Sequence, residues 1–109
     1  MKHKITLPQL KKYDITQKVI MALADAESRV ILFSIIRKGK TASDLSGSLK
    51  IPLSSVYKKL SDLENLTLVR VEKTILSEKG RRFKVYRSRI NKAEISIKKP
   101  EPTLSLSAN

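Results

Sequence analysis

The sequence predicts an α+β fold of about four helices followed by a two-stranded β-hairpin. The first observation is a pair of short helical patterns in residues 41–68, where Val56, Leu60 and Leu63 recur at helical spacing after a brief turn. The second is a change in the apolar period after Leu68, from about 3.6 residues to 2, as strands require. A helix-turn-helix followed at once by a hairpin is a winged helix-turn-helix, and this is the predicted fold.

Composition narrows the possible partners. The net charge is +13, from 23 Lys and Arg against 10 Asp and Glu, and the pI is 10.2, so polyanions are the natural partners, with nucleic acid ahead of acidic membrane surfaces. No apolar run approaches the roughly 18 residues of a membrane helix, and the basic start lacks the apolar segment of a secretory signal. We therefore expect a cytoplasmic, nucleoid-associated protein with no membrane partner.

The residue types also argue against a metal site or an enzyme. There is no Cys, and the single His is His3, so neither a thiolate nor an imidazole site can be built, and we expect no metal and no cofactor. The three glycines form no phosphate-binding loop. At 109 residues we expect one folded unit, divided into a basic arm (1–13), a winged helix-turn-helix domain (14–91) and an extended tail (92–109).

Two helices are predicted before the central pair. Asp14 fits the cap of a first helix that runs to about Ala24, with a core face of Ile15, Val19 and Leu23. Asp25 fits the cap of a second helix from Ala26 to Arg37, which has too many apolar residues for one narrow stripe. We expect that helix to be buried on two sides and to end at Gly39.

The central pair carries the candidate DNA-reading surface. Thr41 and Asp44 have the spacing of a capping box at the start of the helix Ala42 to Leu49, and Pro52 suits the start of the next helix. In a helix-turn-helix the second helix lies in the DNA major groove. A plain helical hairpin with a solvated outer face explains these residues equally well until the hairpin that follows is considered. The predicted contacts are Ser54, Ser55, Tyr57, Lys58, Lys59 and Ser61, although Tyr57 alternatively packs partly into the core.

The predicted wing has strands from Leu68 to Leu76 and from Arg82 to Ile90, joined through Gly80, where a hairpin needs positive φ. Alternation puts Phe83, Val85 and Arg87 on one side and Lys84, Tyr86 and Ser88 on the other. A charged run is often only a solvated face, but here the cations gather at the hairpin tip. We expect contact with the DNA backbone through Lys73, Lys79, Arg81, Arg82 and Lys84.

The tail contains two alternating apolar patches, Ile95 with Ile97 and Leu104 with Leu106, on either side of a stiff Lys-Lys-Pro-Glu-Pro spacer. These patches either add strands to the wing sheet, cross to a second subunit or form a disordered end. A winged helix reads one half-site, and two-fold symmetry uses the same contacts twice. We therefore expect a homodimer whose interface uses the first helix and the tail.

From Ala22 to Tyr86 the chain resembles the ArsR-type (arsenic-repressor-like) winged-helix transcriptional regulators, especially the small archaeal kind. The segment from Leu23 to Leu32 is similar to the family's LADPTRLRIL, and Leu45 and Leu49 match the first helix of the pair. The family's S-x-V-S-R-H-L-x-x-L helix is matched by Ser55, Val56, Leu60 and Leu63. The resemblance implies a DNA-binding regulator that commonly dimerises.

The chain departs from that family in several places. Thr41 and Ser43 stand where metal-sensing members have a Cys-x-Cys pair, so metal sensing does not carry over. Tyr57-Lys58-Lys59 replaces Ser-Arg-His, so base preference does not carry over either. Pro52 and Thr67 replace a frequent Ser cap and a frequent Gly, and no C-terminal dimerisation helix is visible after Ile90.

These observations favour a sequence-specific regulator that binds double-stranded DNA and works as a dimeric repressor by occupying an operator. One alternative is a basic nucleic-acid-binding or chromatin-associated protein with little sequence preference. Another is a winged helix that serves as a protein-interaction module. A specific reader loses affinity sharply when bases change, whereas a non-specific binder shows mainly a dependence on salt.

Overall fold

The computed structural model describes the backbone of residues 7–109 and the side chains of residues 15–109. Its elements are α1 (Leu7–Ala24), α2 (Ala26–Ser34), β1 (Lys40–Thr41), α3 (Ala42–Leu49), α4 (Leu53–Asn65), β2 (Val69–Leu76), β3 (Arg82–Ser88), β4 (Ile90–Ser96) and β5 (Thr103–Ala108). The first three strands form an antiparallel sheet in the order β1-β3-β2, and β4 and β5 form a separate sheet. The predicted α+β winged helix-turn-helix is confirmed.

The core lies between the helices and the inner face of the wing sheet. The predicted stripe of α4, formed by Val56, Leu60 and Leu63, is fully buried. It packs in one cluster with Ile31 and Leu32 of α2 and with neighbouring residues of α1, α3 and the strands. Apolar burial of this kind is the main favourable contribution to folding.

The first two helices differ from their predicted limits. α1 begins at Leu7, so Asp14 lies inside it and does not cap it. Val19 and Leu23 are buried as expected, but Ile15 is exposed, because the core does not extend that far along α1. α2 ends at Ser34, well before Gly39, and only one of its sides is buried, since Val30 and Phe33 are exposed.

Two predicted helix starts are confirmed in detail. The Asp25 carboxylate accepts a hydrogen bond from the Ser28 amide at 3.0 Å and caps α2. At α3, the Asp44 amide donates to Thr41 Oγ1 at 3.1 Å and the Thr41 amide donates to the Asp44 carboxylate at 3.3 Å. This reciprocal pair is a capping box in which Asp takes the place of the usual Glu or Gln.

Within residues 7–109, three residues adopt positive φ, and each ends a helix or forms a turn. Gly80, at φ 80°, makes the predicted wing turn, and Lys50, at φ 56°, ends α3. Thr67, at φ 61°, follows α4 at the position where the ArsR-type regulators, which the sequence resembles, frequently have Gly. A β-branched residue is strained in the left-handed region, by about 1–2 kcal/mol.

The wing hairpin forms as predicted, with two corrections. Val85 and Tyr86 are both buried although they point to opposite faces, because Tyr86 packs in the core cluster while Val85 lies against the chain at Gly39. The second wing strand stops at Ser88, and Ile90 begins β4. A β-bulge between Val71 and Lys73 shifts the register of β2 against β3.

The tail forms a second hairpin and adds no strand to the wing sheet. Its register pairs Ala93 with Leu106 and Ile95 with Leu104, so these four residues share one face. Ala93 and Leu104 pack against the core, while Ile95 and Leu106 are exposed. The apolar face of this hairpin therefore extends beyond the part that its own subunit covers. No helix in residues 7–109 is long and apolar enough to cross a membrane.

We expect Gly39→Ala to destabilise the protein. Gly39 lies where the chain entering β1 runs against the wing sheet, and an added Cβ would lie 2.7 Å from Val85 Cγ1 and 3.2 Å from the Tyr86 carbonyl oxygen. Overpacking of this kind costs about 1–3 kcal/mol. Gly47→Ala, in α3, is the matched control. Nothing lies within 4 Å of a Cβ added at Gly47, and the change should stabilise the helix by about 0.5–1 kcal/mol. Urea unfolding of both variants measures the two free energies, and an equal effect would contradict the close approach.

Candidate nucleic-acid interface

The outer face of α4 is open to solvent. Ser54, Tyr57, Lys58 and Ser61 are exposed, and Ser55 is half-buried at the edge of this face. Tyr57 keeps 47% of its surface exposed, so the alternative in which it packs into the core is not what the structure has. Leu53, the first residue of α4, is also exposed, because it lies before α4 reaches the core.

Lys59 differs from its neighbours. Its ammonium lies 2.7 Å from the Asp25 carboxylate and 3.7 Å from that of Glu27, and only 22% of its side chain is exposed. Among the residues predicted to contact DNA, it is the one placed on the side of α4 that faces α2. Lys59 therefore fixes α4 against the start of α2.

Asp25 is the acceptor on which this attachment depends. Its carboxylate accepts hydrogen bonds from Lys59, from the Ser28 hydroxyl at 2.7 Å and from the Ser28 amide. These bonds favour the charged form, and they lower the pKa of Asp25 to about 2. The same pair raises the pKa of Lys59 above its ordinary value, chiefly through the hydrogen bond to Asp25. Both groups are charged at neutral pH.

The wing presents its cations to solvent. The tip is closed by hydrogen bonds from the Gly80 amide to the Ser77 carbonyl, at 2.9 Å, and from the Arg81 amide to Ser77 Oγ, at 3.0 Å. This turn holds the ends of the strands together without any apolar packing at the tip. All five predicted wing contacts are exposed: Lys73, Lys79, Arg81, Arg82 and Lys84.

A cleft between α4 and the wing brings part of the two predicted surfaces together. We call it the wing cleft; its volume is about 260 Å³, and it is lined by Thr41, Ala42, Tyr57, Arg82, Phe83, Lys84 and Tyr86. Arg82, Lys84 and Tyr86 alternate along β3 and so share one face. Tyr57 is the residue of α4 that reaches this cleft.

The remaining predicted residues lie elsewhere. Lys73 pairs with Val85 in the sheet register, so it points to the face of the wing opposite Lys84. Ser55 and Lys58 line a wider groove of about 840 Å³ between α4 and the first two helices, together with Lys59. The outer face of α4 is thus flanked by a groove on each side.

The sequence patterns did not identify several residues of this surface. Thr41, Phe83 and Tyr86 line the wing cleft, and the signal that could have found Tyr86 is its spacing of two from Lys84 and four from Arg82 along one strand. Three arginines also gather at the base of the wing, in a pocket of about 330 Å³ lined by Arg70, Arg87 and Arg89. Arg87 is held there by hydrogen bonds to the Ile36 carbonyl and the Glu72 carboxylate.

The side chains of residues 15–109 contain no group of three His, Cys, Asp or Glu residues placed to hold a metal ion. No protein-family model matches the chain, and no curated protein matches it. Among solved structures, it is similar to the crystal structure of NolR from Sinorhizobium fredii, with a TM-score of 0.61 and 18% identity over 80% of this chain and 81% of that one. This likeness shows the fold, which is that of a winged helix.

We expect Asp25→Asn to lower the Tm at pH 7 by removing the charge that Lys59 contacts. The pKa of Asp25 is about 2 in the folded protein against an ordinary 3.8, so its stabilisation is present above about pH 4 and is lost as the pH falls through 2. The difference in Tm between the wild type and the variant should therefore shrink over that range. Thermal unfolding monitored by circular dichroism at pH 2, 3, 4 and 7 measures it.

Glu27→Gln is the matched control, because it removes the same charge from the first turn of α2 at 3.7 Å from Lys59. Its effect on Tm should be the smaller one. If the difference in Tm between the wild type and Asp25→Asn does not change with pH, the ion pair between Asp25 and Lys59 is contradicted.

Proposed function

We propose that this protein is a double-stranded DNA-binding transcription regulator of ArsR-like type that recognises a specific operator and acts as a dimeric repressor in the cytoplasm. The observation that carries the proposal is the solvent-exposed outer face of α4, beside a wing whose five cations are exposed. A net charge of +13 favours a polyanionic partner. The likeness to NolR supports the winged-helix fold on which the proposal is built.

Base contacts are assigned to α4. Lys58 is exposed and long enough to reach guanine or a phosphate, while Ser54, Ser55 and Ser61 suit phosphate oxygens. Tyr57 offers its ring to a thymine methyl group or its hydroxyl to a phosphate. Lys59 contributes indirectly, because its ion pair with Asp25 sets the position of α4.

The wing is assigned the part of the affinity that does not depend on sequence. Lys79, Arg81 and Arg82 surround the Gly80 turn, and none has a hydrogen bond or ion pair through its side chain among the described residues. Such free cations neutralise phosphates and release counterions. The arginines at the base of the wing extend this positive charge. This observation favours the second candidate function, which is nucleic-acid binding without sequence preference.

The interface of the proposed dimer is assigned to α1 and the second hairpin. The apolar face of that hairpin continues past the core through Ile95, Ile97 and Leu106, all exposed. Ile15 and Met21 of α1 are exposed as well, and α1 contacts β5. Apolar surface that is exposed on one subunit can be buried in an interface between two subunits.

One experiment with two variants tests the DNA assignment. Operator fragments are first selected from random DNA by the purified protein. The double variant Ser55→Ala/Lys58→Ala should then lose about ten-fold in selectivity for them over random DNA, because one good base contact contributes about 1–3 kcal/mol. The triple variant Lys79→Gln/Arg81→Gln/Arg82→Gln should weaken both DNAs alike. Its plot of log affinity against log salt should become shallower by roughly 0.9 for each phosphate that the wing no longer neutralises.

Each variant serves as the control for the other in these titrations, which use fluorescence anisotropy. If the α4 variant keeps full selectivity, α4 does not read the bases. If no DNA fragment is enriched over the random pool, the protein is a non-specific binder.

Light scattering tests the dimer. The intact protein at micromolar concentration should have the mass of two chains, and Ile95→Ser/Leu106→Ser should halve it by making the exposed part of the hairpin polar. The matched control is Ile75→Ser/Leu76→Ser, which makes the same change at two exposed positions of the wing and should leave the mass unchanged. A monomeric intact protein would refute the dimer, and a dimeric hairpin variant would refute this interface.

A further inference from the structure

The wing cleft brings aromatic and cationic side chains together at the start of α3. Tyr57 and Tyr86 supply two aromatic rings, whereas Phe83, which also lines the cleft, alternates to the other face of β3. Arg82 and Lys84 supply two positive charges, and no carboxylate lines the cleft. The start of α3 adjoins it through Thr41 and Ala42, and the Asp44 carboxylate already accepts a hydrogen bond from the Thr41 amide there.

Tyr86 gives this cleft a polar group without a partner. Its side chain is 7% exposed, and within the described part of the chain its hydroxyl makes no hydrogen bond. Since no fully buried polar side-chain atom in that part lacks a partner, the hydroxyl must open to the cleft that the residue lines. Burial and the nearby charge of Glu64 raise the pKa of Tyr86, so the hydroxyl is a donor at neutral pH.

The two cations are also free to bind. Neither Arg82 nor Lys84 has a hydrogen bond or an ion pair through its side chain among the residues described, whereas Arg87, which points to the other face of the same strand, is already engaged by Glu72. A bound carboxylate would meet two cations and a phenol hydroxyl on one face of β3. Charge-assisted hydrogen bonds of this type are among the stronger ones in proteins.

The volume limits the size of the ligand. A cavity of about 150 Å³ accepts a benzene molecule, and pockets for drug-sized ligands start at about 300 Å³. The wing cleft, at about 260 Å³, lies between the two. It suits a single ring with one charged substituent and is small for a nucleotide.

We propose that the wing cleft binds a small planar aromatic acid, with its ring between Tyr57 and Tyr86 and its carboxylate on Arg82, Lys84 and the Tyr86 hydroxyl. Tyr57, Arg82 and Lys84 are also assigned to DNA, so the bound acid and DNA compete for the same groups. This second part rests on the proposed function. Bound acid should lower the affinity for DNA by about ten-fold, within the usual range of coupling between sites.

Calorimetric titration of the full chain with benzoate tests the site without DNA. Benzoate should bind at one molecule per chain, at least ten-fold more tightly than cyclohexanecarboxylate, which has the charge without the flat ring, or benzamide, which has the ring without the charge. Tyr86→Phe and Arg82→Gln should each weaken benzoate several-fold. Lys99→Gln removes one positive charge from the exposed turn of the second hairpin and should have no effect.

Equal binding of all three compounds, or equal weakening by Lys99→Gln and Arg82→Gln, would overturn the site. Thermal unfolding of each variant verifies that it is folded, and Tyr86→Phe keeps the buried ring. Anisotropy titrations with the selected DNA then separate the two proposals. Benzoate binding without any DNA binding would leave the site standing and refute the proposed function, while unchanged DNA affinity at saturating benzoate would overturn the competition.

Discussion

The Asp25 carboxylate joins two helices of the fold. It caps α2 through the Ser28 amide and binds the Lys59 ammonium of α4 at 2.7 Å, so one side chain fixes the start of one helix and the side of another. The next turn of α2 adds Arg29, whose guanidinium donates to the carbonyl oxygens of Leu23 and Ala24 at the end of α1. Three helix ends or sides thus meet within a few ångströms. The buried apolar stripe of α4 sets which of its faces turns inward, and this polar junction ties α4 to the start of α2.

That rotation decides which cations remain available for DNA. Lys58 and Lys59 are neighbours of the same type, yet the first is exposed on the outer face and the second is held by Asp25. It also brings Tyr57 to the wing, where Arg82 and Lys84 line the same cleft. A rotation of α4 by one residue, about 100°, would put Lys58 where Lys59 lies and would turn the apolar stripe away from the core. The arrangement of the exposed cations therefore depends on the buried stripe together with the contact between Lys59 and Asp25.

The local features of the fold were predictable because each depends on a few residues close in sequence. The caps at Asp25 and Thr41, the stripe of α4 and the turn at Gly80 are of this kind. The features that were not predicted depend on residues far apart in the chain. Alternation cannot show what covers the second face of a strand, as at Val85, and it cannot show which part of the fold the tail packs against. Gly39 is an example: its pattern is that of a helix end, but what the structure requires of it is close approach to Val85 and the Tyr86 backbone. The same holds for the candidate site. The exposed residues of α4 could be predicted from helical spacing, whereas the wing cleft could not, because it depends on how β3 and α4 lie relative to each other.

The resemblance to the ArsR-type regulators has a physical basis in the same junction. The segment that carries it most strongly, residues 23–32, contains the acceptor that caps α2 and the arginine that binds the end of α1. The positions that depart from the family, Tyr57, Lys58 and Lys59, lie on α4 outside its buried stripe. Lys59 belongs to the junction, because it binds the Asp25 carboxylate, whereas Tyr57 and Lys58 are exposed. The chain therefore shares the start of α2 with the pattern of that family and departs from it both on the exposed face of α4 and at the residue of α4 that binds Asp25.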